Sequence, residues 1–331
     1  MNNHHTVSLT TSELGYLWTG LSINDMSKWY LTAFFQFTQD QEIKDLYSFA
    51  LKITNELISK RNEILTNEGY PVPVGFSEKE IKECSSPLFS NRFLLKYLHT
   101  GACLGLEFHS KSFALSTRED VRQYNIDCLT SSIKLNDKVV DLLLNKGIYW
   151  RTPSLPTPHV PEYIQKSSYL NSLLGDTRPL NSMELANLYQ IIDLLIIMEA
   201  LFIGFEQISE LEETRELFRE GTTSIRNQYE TLADILKENE LPIPPSYSAE
   251  VLESKEKIFS EQIMVSHLAG LYGSLISQYG FSIGSVMRHD LVKVYTQHIV
   301  KAGVMSERIT RFLIKQQWIE KVPGAILRDN L

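Results

Sequence analysis

LTTSELGYL at residues 9–17 returns as LNSMELANL at residues 180–188, and the interval between them, 171 residues, organises the rest of the chain. In each copy a short polar residue, Thr10 or Asn181, stands three positions before a glutamate, Glu13 or Glu184. Leu9 with Leu14, and Leu180 with Leu185, flank the pair. This is the pattern of a capping box with a hydrophobic staple. The polar side chain accepts the N–H of the third helical residue, the glutamate reaches back to the cap, and the two leucines fix the entry of the chain. Helices are therefore predicted to open at Thr10 and Asn181 and to run to about 37 and about 208.

Sliding the chain on itself by 171 places Phe34 and Gln36 on Phe205 and Gln207, and Glu42 and Leu46 on Glu213 and Leu217. It also places Ile64, Leu65, Pro71, Pro73 and Ser77 on Ile235, Leu236, Pro242, Pro244 and Ser248. Further on the offset becomes 170: Phe89 and Ser90 match Phe259 and Ser260, Arg118 and Asp120 match Arg288 and Asp290, and Pro153 matches Pro323. The slip falls between Ser77 and Phe89, in a loop, where changes of length are tolerated. Repetition on this scale is an internal duplication.

Each copy reads as four helices. In the first, the second helix spans about 41–68, with Gly69 suited to the C-terminal cap. The third is predicted to start at Ser86-Pro87, since proline suits the first helical turn, and to end near 116. Thr117 is the expected cap of the fourth, which stops at Gly147. In the second copy the corresponding helices are placed from near Ser209 to before Leu241, at about 257–286 and at about 289–316. The first and third connections are short, which makes antiparallel hairpins. The middle connection, residues 70–86, is long enough to run from one end of a bundle to the other. Two hairpins joined by one long crossover is the ferritin-like arrangement, and the rival is an up-down-up-down bundle with a slack loop. The expected fold is all-α: two tandem ferritin-like four-helix bundles, residues 1–160 and, with a proline-rich connector, residues 161–331.

Composition narrows the function. The chain of 331 residues is 43% hydrophobic and 22% charged, with net charge -8 and no basic cluster, which disfavours nucleic acid and anionic membrane as partners. Cys84, Cys103 and Cys128 are too few for a disulfide framework, so a reducing, cytoplasmic setting is expected. The first residues lack the basic and apolar regions of a signal peptide, and His4 and His5 in such a tail bind metal weakly. Residues 188–205, LYQIIDLLIIMEALFIGF, approach the length of a membrane span but carry Asp193 and Glu199. A buried central helix is the favoured reading, its surplus apolar surface covered by the other copy or another subunit. Lys28 and Glu199 are equivalent positions of opposite sign and were candidates to pair across such a contact.

Bundles of this type raise the question of a di-metal carboxylate centre, which needs Glu-x-x-His pairs so that both ligands project from one helix face. No Glu or Asp in the chain has a histidine three residues later, and Glu107-Phe108-His109 has the wrong spacing. The mid-helix positions Leu21, Asn24, Asp25 and Lys28, with Glu56, Leu57 and Lys60, include some oxygen ligands but no converging set. In copy two the positions are Ile192, Leu195, Ile196 and Glu199, with Asn227, Gln228 and Thr231. His99, His267, His289 and His298 read as hydrogen-bonded residues, and Cys103 and Cys128 as small apolar fillers. Arg118 with Asp120, and Arg288 with Asp290, could hold an anion or partner, but a corner used twice in one fold is read as a structural brace. The glycines of the third helices, Gly101, Gly105, Gly270, Gly273, Gly280 and Gly284, suggest close helix approach, or else room for a ligand. No catalytic, cofactor-binding or metal-binding residue is assigned.

LTTSELGYLW (9–18), YPVPVGF (70–76), LFS (88–90), KGIYWRTPSLPTP (146–158), GDTRPLN (175–181) and RHDL (288–291) together resemble the tandem ferritin-like proteins of bacilli in the domain-of-unknown-function 3231 family. The likeness covers nearly the whole chain and implies the fold and a spore-forming source, with no activity. Some members carry a histidine midway along the second helix, where this chain has Leu57 and Gln228. The expected function is a non-catalytic helical scaffold that associates with a protein partner or itself, in sporulation or stress. The alternative is an enzyme or carrier using an apolar bundle cavity, with an unconventional metal site.

Overall fold

The computed structural model describes residues 7–83, 86–170 and 177–325. His4, His5, Cys84, Gly175 and Asp176, considered above, lie outside them. Among the described residues there are eight α-helices: α1 (Thr11–Phe37), α2 (Gln41–Asn67), α3 (Asn91–Ala114), α4 (Glu119–Asn145), α5 (Ser182–Ile208), α6 (Glu212–Glu238), α7 (Glu261–Ser285) and α8 (His289–Lys315). The architecture is all-helical and duplicated. The chain forms two compact units, one of residues 1–148 with 254–263 and 316–331, the other of residues 149–253 with 264–315.

Both capping boxes form. Thr10 accepts the Glu13 N–H, and Glu13 accepts from the Thr10 N–H at 2.8 Å. Asn181 and Glu184 repeat the exchange at 2.9 and 3.0 Å. Four predicted starts move. Ser90 caps α3, accepting the Phe93 N–H, so α3 begins four residues past Ser86-Pro87. α7 likewise begins at Glu261, where Ser260 accepts the Ile263 N–H. α4 follows Arg118 rather than Thr117, because the Thr117 N–H and hydroxyl both go to Glu13. α6 follows Leu211 with no side-chain cap, and the Ser209 hydroxyl turns back to the Phe205 carbonyl.

Hydrogen bonds at the helix ends settle the topology of the first unit. The end of α2 meets the start of α4, where Arg118 pairs with Glu68 at 2.6 Å. The start of α2 meets the end of α4, where Lys146 binds Asp40 at 2.7 Å. Thr38, just after α1, bonds Asn91 at the start of α3, and Tyr47 in the first turns of α2 donates to the Leu94 carbonyl at 2.8 Å. The start of α3 therefore lies at the end of the bundle opposite to the one where α2 finishes. The connection between them runs the length of the bundle, as its length predicts. In the second unit Glu213 and Lys315 (2.7 Å) join the start of α6 to the end of α8, and Asn187 joins the start of α5 to Ser285 at the end of α7 (2.8 Å). The same arrangement results.

The first unit also includes segment 254–263: Lys82 N–H donates to Ile258 and Ser260 N–H to Glu80, both at 2.9 Å, and Phe259 packs its ring on Tyr30 and Phe34. In the second unit, α5 is the one helix among the described residues long and apolar enough to cross a membrane, and 83% of its apolar window is buried. α5 and α6 approach so closely at Gly221 that a Cβ there would lie 2.1 Å from the Phe202 ring. The equivalent pair in the first unit is Leu31 with Ala50, both buried. A larger ring on one helix is matched by a smaller residue on its neighbour, as dense packing requires.

Candidate functional site

Two polar clusters recur in both units, one at a corner and one at mid-bundle. At the corner, Glu13 extends its role beyond the cap. Its Oε1 accepts the N–H groups of Thr117 (2.7 Å) and Arg118 (2.8 Å), tying α1 to the start of α4. Burial alone would raise this carboxyl, but the N–H groups of Arg118, Thr10 and Thr117 outweigh it and hold the pKa at about 2. Glu184 accepts from Met287 and Arg288 in the same way, both at 3.1 Å, and is gripped in addition by Arg178 at 2.7 and 2.8 Å. Arg118 makes a two-pronged pair with Asp120 (2.8 and 2.6 Å), as Arg288 does with Asp290 (3.1 and 2.7 Å). Their remaining Nη1 groups reach equivalent partners: Val7 O and Glu68 in one unit, Arg178 O and Asn239 in the other. Every guanidinium nitrogen has an internal partner, so both arginines brace the corner.

At mid-bundle the second unit holds Gln228, Tyr279 and His298, all buried. The Tyr279 hydroxyl donates to the Gln228 carbonyl oxygen at 3.0 Å and lies 3.1 Å from His298 Nδ1. Burial pushes the His298 ring down to about 4, so it is neutral at pH 7. A closed set of this kind satisfies its own polar atoms at low dielectric and rigidifies the core.

The same three positions in the first unit are Leu57, His109 and Cys128. Around them stand groups with no polar counterpart in the second: Arg61, where the other unit has Leu232, and Asp25, where it has Ile196. Arg61 is 0% exposed. None of its Nε, Nη1 and Nη2 atoms has a hydrogen bond of normal geometry, and the Tyr124 hydroxyl and His109 Nδ1 are likewise unsatisfied. Tyr124, Asp25 and Cys128 are the electrostatic neighbours of the guanidinium. Asp25 is engaged elsewhere: its Oδ2 accepts the Phe76 N–H of the crossover at 2.7 Å, beside Gly75, whose φ of +62° brings the backbone against it. Burial, with the Arg61 charge, pushes His109 down to about 4, and burial pushes the Cys128 thiol up to about 12. Gly20 lets the Phe108 ring pack close to α1: a Cβ there would lie 3.3 Å from that ring and 4.0 Å from Arg61 Nη1. The second unit has Ile191 and Leu232 at these positions, both buried.

The remaining residues disperse. Glu199 is held within its own unit, by Arg226 at 2.9 Å and Ser246 at 2.9 Å, while the Lys28 ammonium lies 4.8 Å over the Trp29 ring. His99 sits between Lys96 and Cys103, His267 is buried with its pKa lowered to about 3, and His289 is exposed at the start of α8. Among the described residues, no three His, Cys, Asp or Glu side chains converge as metal ligands. Close approach explains Gly105, where a Cβ would lie 2.9 Å from Ser132 Oγ. It does not explain Gly101, Gly270, Gly273, Gly280 or Gly284, which face open space. Arg61 escaped the sequence reading, although it lies four residues from both Leu57 and Leu65, on the inward stripe of α2.

Repeated corners, crossovers and mid-bundle layers define a duplicated helical-bundle protein. The chain belongs to the family described as Protein of unknown function (DUF3231), which matches residues 1–160 and again residues 168–331. A solved structure from Bacillus halodurans C-125, described as a "putative spore coat protein", is similar to 47% of this chain over 100% of its own, with 21% identity and a TM-score of 0.44. No curated protein matches the chain.

Proposed function

We propose that the protein is a non-catalytic helical scaffold of ferritin-like type, acting in the cytoplasm through association with a protein partner or with its own copies. The observation that carries this reading is the Gln228–Tyr279–His298 set, three buried polar side chains of the second bundle that bind one another. A role in sporulating or stressed cells belongs to the same reading and rests on the family resemblance alone. Net charge -8 argues against nucleic acid and anionic membrane as the partner. The test is elemental analysis and native mass spectrometry of untagged protein purified without added metal. Chain or oligomer masses free of stoichiometric transition metal are expected, whereas two tightly bound transition-metal ions per bundle would overturn the proposal. One observation favours a carrier instead, the unsatisfied arginine in the first bundle.

A further inference from the structure

Arg61 is the polar group in the first bundle that the scaffold reading does not use. A guanidinium has five N–H donors in a rigid fork and stays charged in proteins. Taking such a charge out of water is costly unless hydrogen bonds and an opposite charge compensate it. Buried side-chain donors in native proteins are overwhelmingly paired, and an exception points to an absent water or ion. Here all three nitrogens lack a hydrogen bond in a fully buried side chain. The nearby acid, Asp25, holds the crossover through Phe76. Asp25 opposes part of the charge through space, and a water molecule could accept one or two of the five N–H groups, leaving the others open.

The groups beside the guanidinium complete the argument. The Tyr124 hydroxyl and His109 Nδ1 are also unsatisfied, and both interact electrostatically with Arg61. Gly20 faces the arginine from α1, with the Phe108 ring packed on its backbone. The second bundle has buried Leu232 in place of the cation and closes its own polar triad. One half of the duplication has thus removed the cation, while the other keeps it with its donors open.

We infer that the first bundle binds a small oxyanion at its core, a carboxylate or a phosphate, with Arg61 as the charged anchor and the Tyr124 hydroxyl as a second donor. Planar two-pronged recognition of such oxygens is what a guanidinium does best. The inference goes beyond the scaffold reading and does not depend on it, since an anion held at the core involves no catalysis.

The experiment is thermal unfolding of the full-length protein, exchanged into sodium chloride and then titrated with sodium acetate or inorganic phosphate at constant ionic strength. Arg61→Leu copies the residue of the second bundle, and Tyr124→Phe removes one donor while keeping the ring. A melting temperature that rises with acetate or phosphate in the wild type and is flat in R61L supports the site. The effective anion identifies the class. Y124F should retain the response with affinity weakened roughly 2–10-fold, the worth of one hydrogen bond. If R61L does not fold, the Y124F shift decides alone: an unchanged midpoint overturns the assignment. Equal responses to chloride, acetate and phosphate in the wild type also overturn it, leaving water as the occupant.

Discussion

The two bundles agree at their corners and differ at their centres. Glu13, Arg118 and Asp120 are reproduced by Glu184, Arg288 and Asp290 down to which atom meets which. At mid-bundle, Leu57, His109 and Cys128 stand where the second unit has Gln228, Tyr279 and His298, and Arg61 stands where it has Leu232. Corners carry the geometry of a hairpin and two helix ends at once, so a change there disturbs several orphan N–H groups together. A core layer needs chiefly to be filled, and the two copies fill it with different residues.

That contrast can be broken by moving residues between the halves. Leu232→Arg places a cation in a core layer whose Gln228, Tyr279 and His298 already bond one another. A loss of about 4 kcal/mol or more is expected in urea unfolding followed by circular dichroism. A loss below about 1 kcal/mol would mean that either core accepts a buried charge, and the contrast would lapse. Next in size are the corners. Arg118→Ala and Arg288→Ala should each cost about 3–5 kcal/mol, because acids are left without their cation. R118A should cost more, since it strands both Asp120 and Glu68, whereas R288A strands Asp290 and a neutral Asn239.

Acid unfolding gives a smaller effect with a definite window. The folded Glu13 carboxyl titrates near 2, against 4.5 for a free one, so its contribution is full above pH 4.5 and is lost as pH falls toward 2. This is about 1–3 kcal/mol, the lower end allowing for solvent screening. Glu13→Gln should remove that phase. An earlier loss belongs to His109 and His298: burial depresses both to about 4, so the folded state binds fewer protons than the unfolded one as pH falls from 6.5. A stability profile flat from pH 7 to 3 would contradict both assignments. Smallest are the caps: Thr10→Ala and Asn181→Ala should each cost about 0.5–2 kcal/mol, and similar values would confirm that the two helix starts are equivalent.

The duplication, both capping boxes, the crossover and the burial of α5 were legible because each leaves a local or periodic mark in the sequence. In the first copy Ser86-Pro87 offers a start signal that competes with the Ser90 cap, and the second copy's start is placed at the equivalent position, ahead of Ser260. Thr117 looked like a cap because its contact with Glu13 spans 104 residues, and no local pattern reports it. Glu199 likewise takes partners from elsewhere in its own unit, Arg226 and Ser246, that no local pattern announces. Arg61 was the avoidable omission. A search framed by metal chemistry looks for carboxylates and histidines, and it passes over an arginine at core spacing between Leu57 and Leu65.

The central claim is that Arg61 is a buried cation without hydrogen-bond partners in the first bundle and that the second bundle has Leu232 at the same position. Its most direct test is the stability of Arg61→Leu against wild type in chloride buffer free of other oxyanions. Replacing an unpaired buried ion by a well-packed apolar side chain should stabilise the protein by about 1–4 kcal/mol. A loss of about 3–5 kcal/mol, the signature of a broken buried ion pair, would show that Arg61 already has its partner inside the chain and would contradict the account.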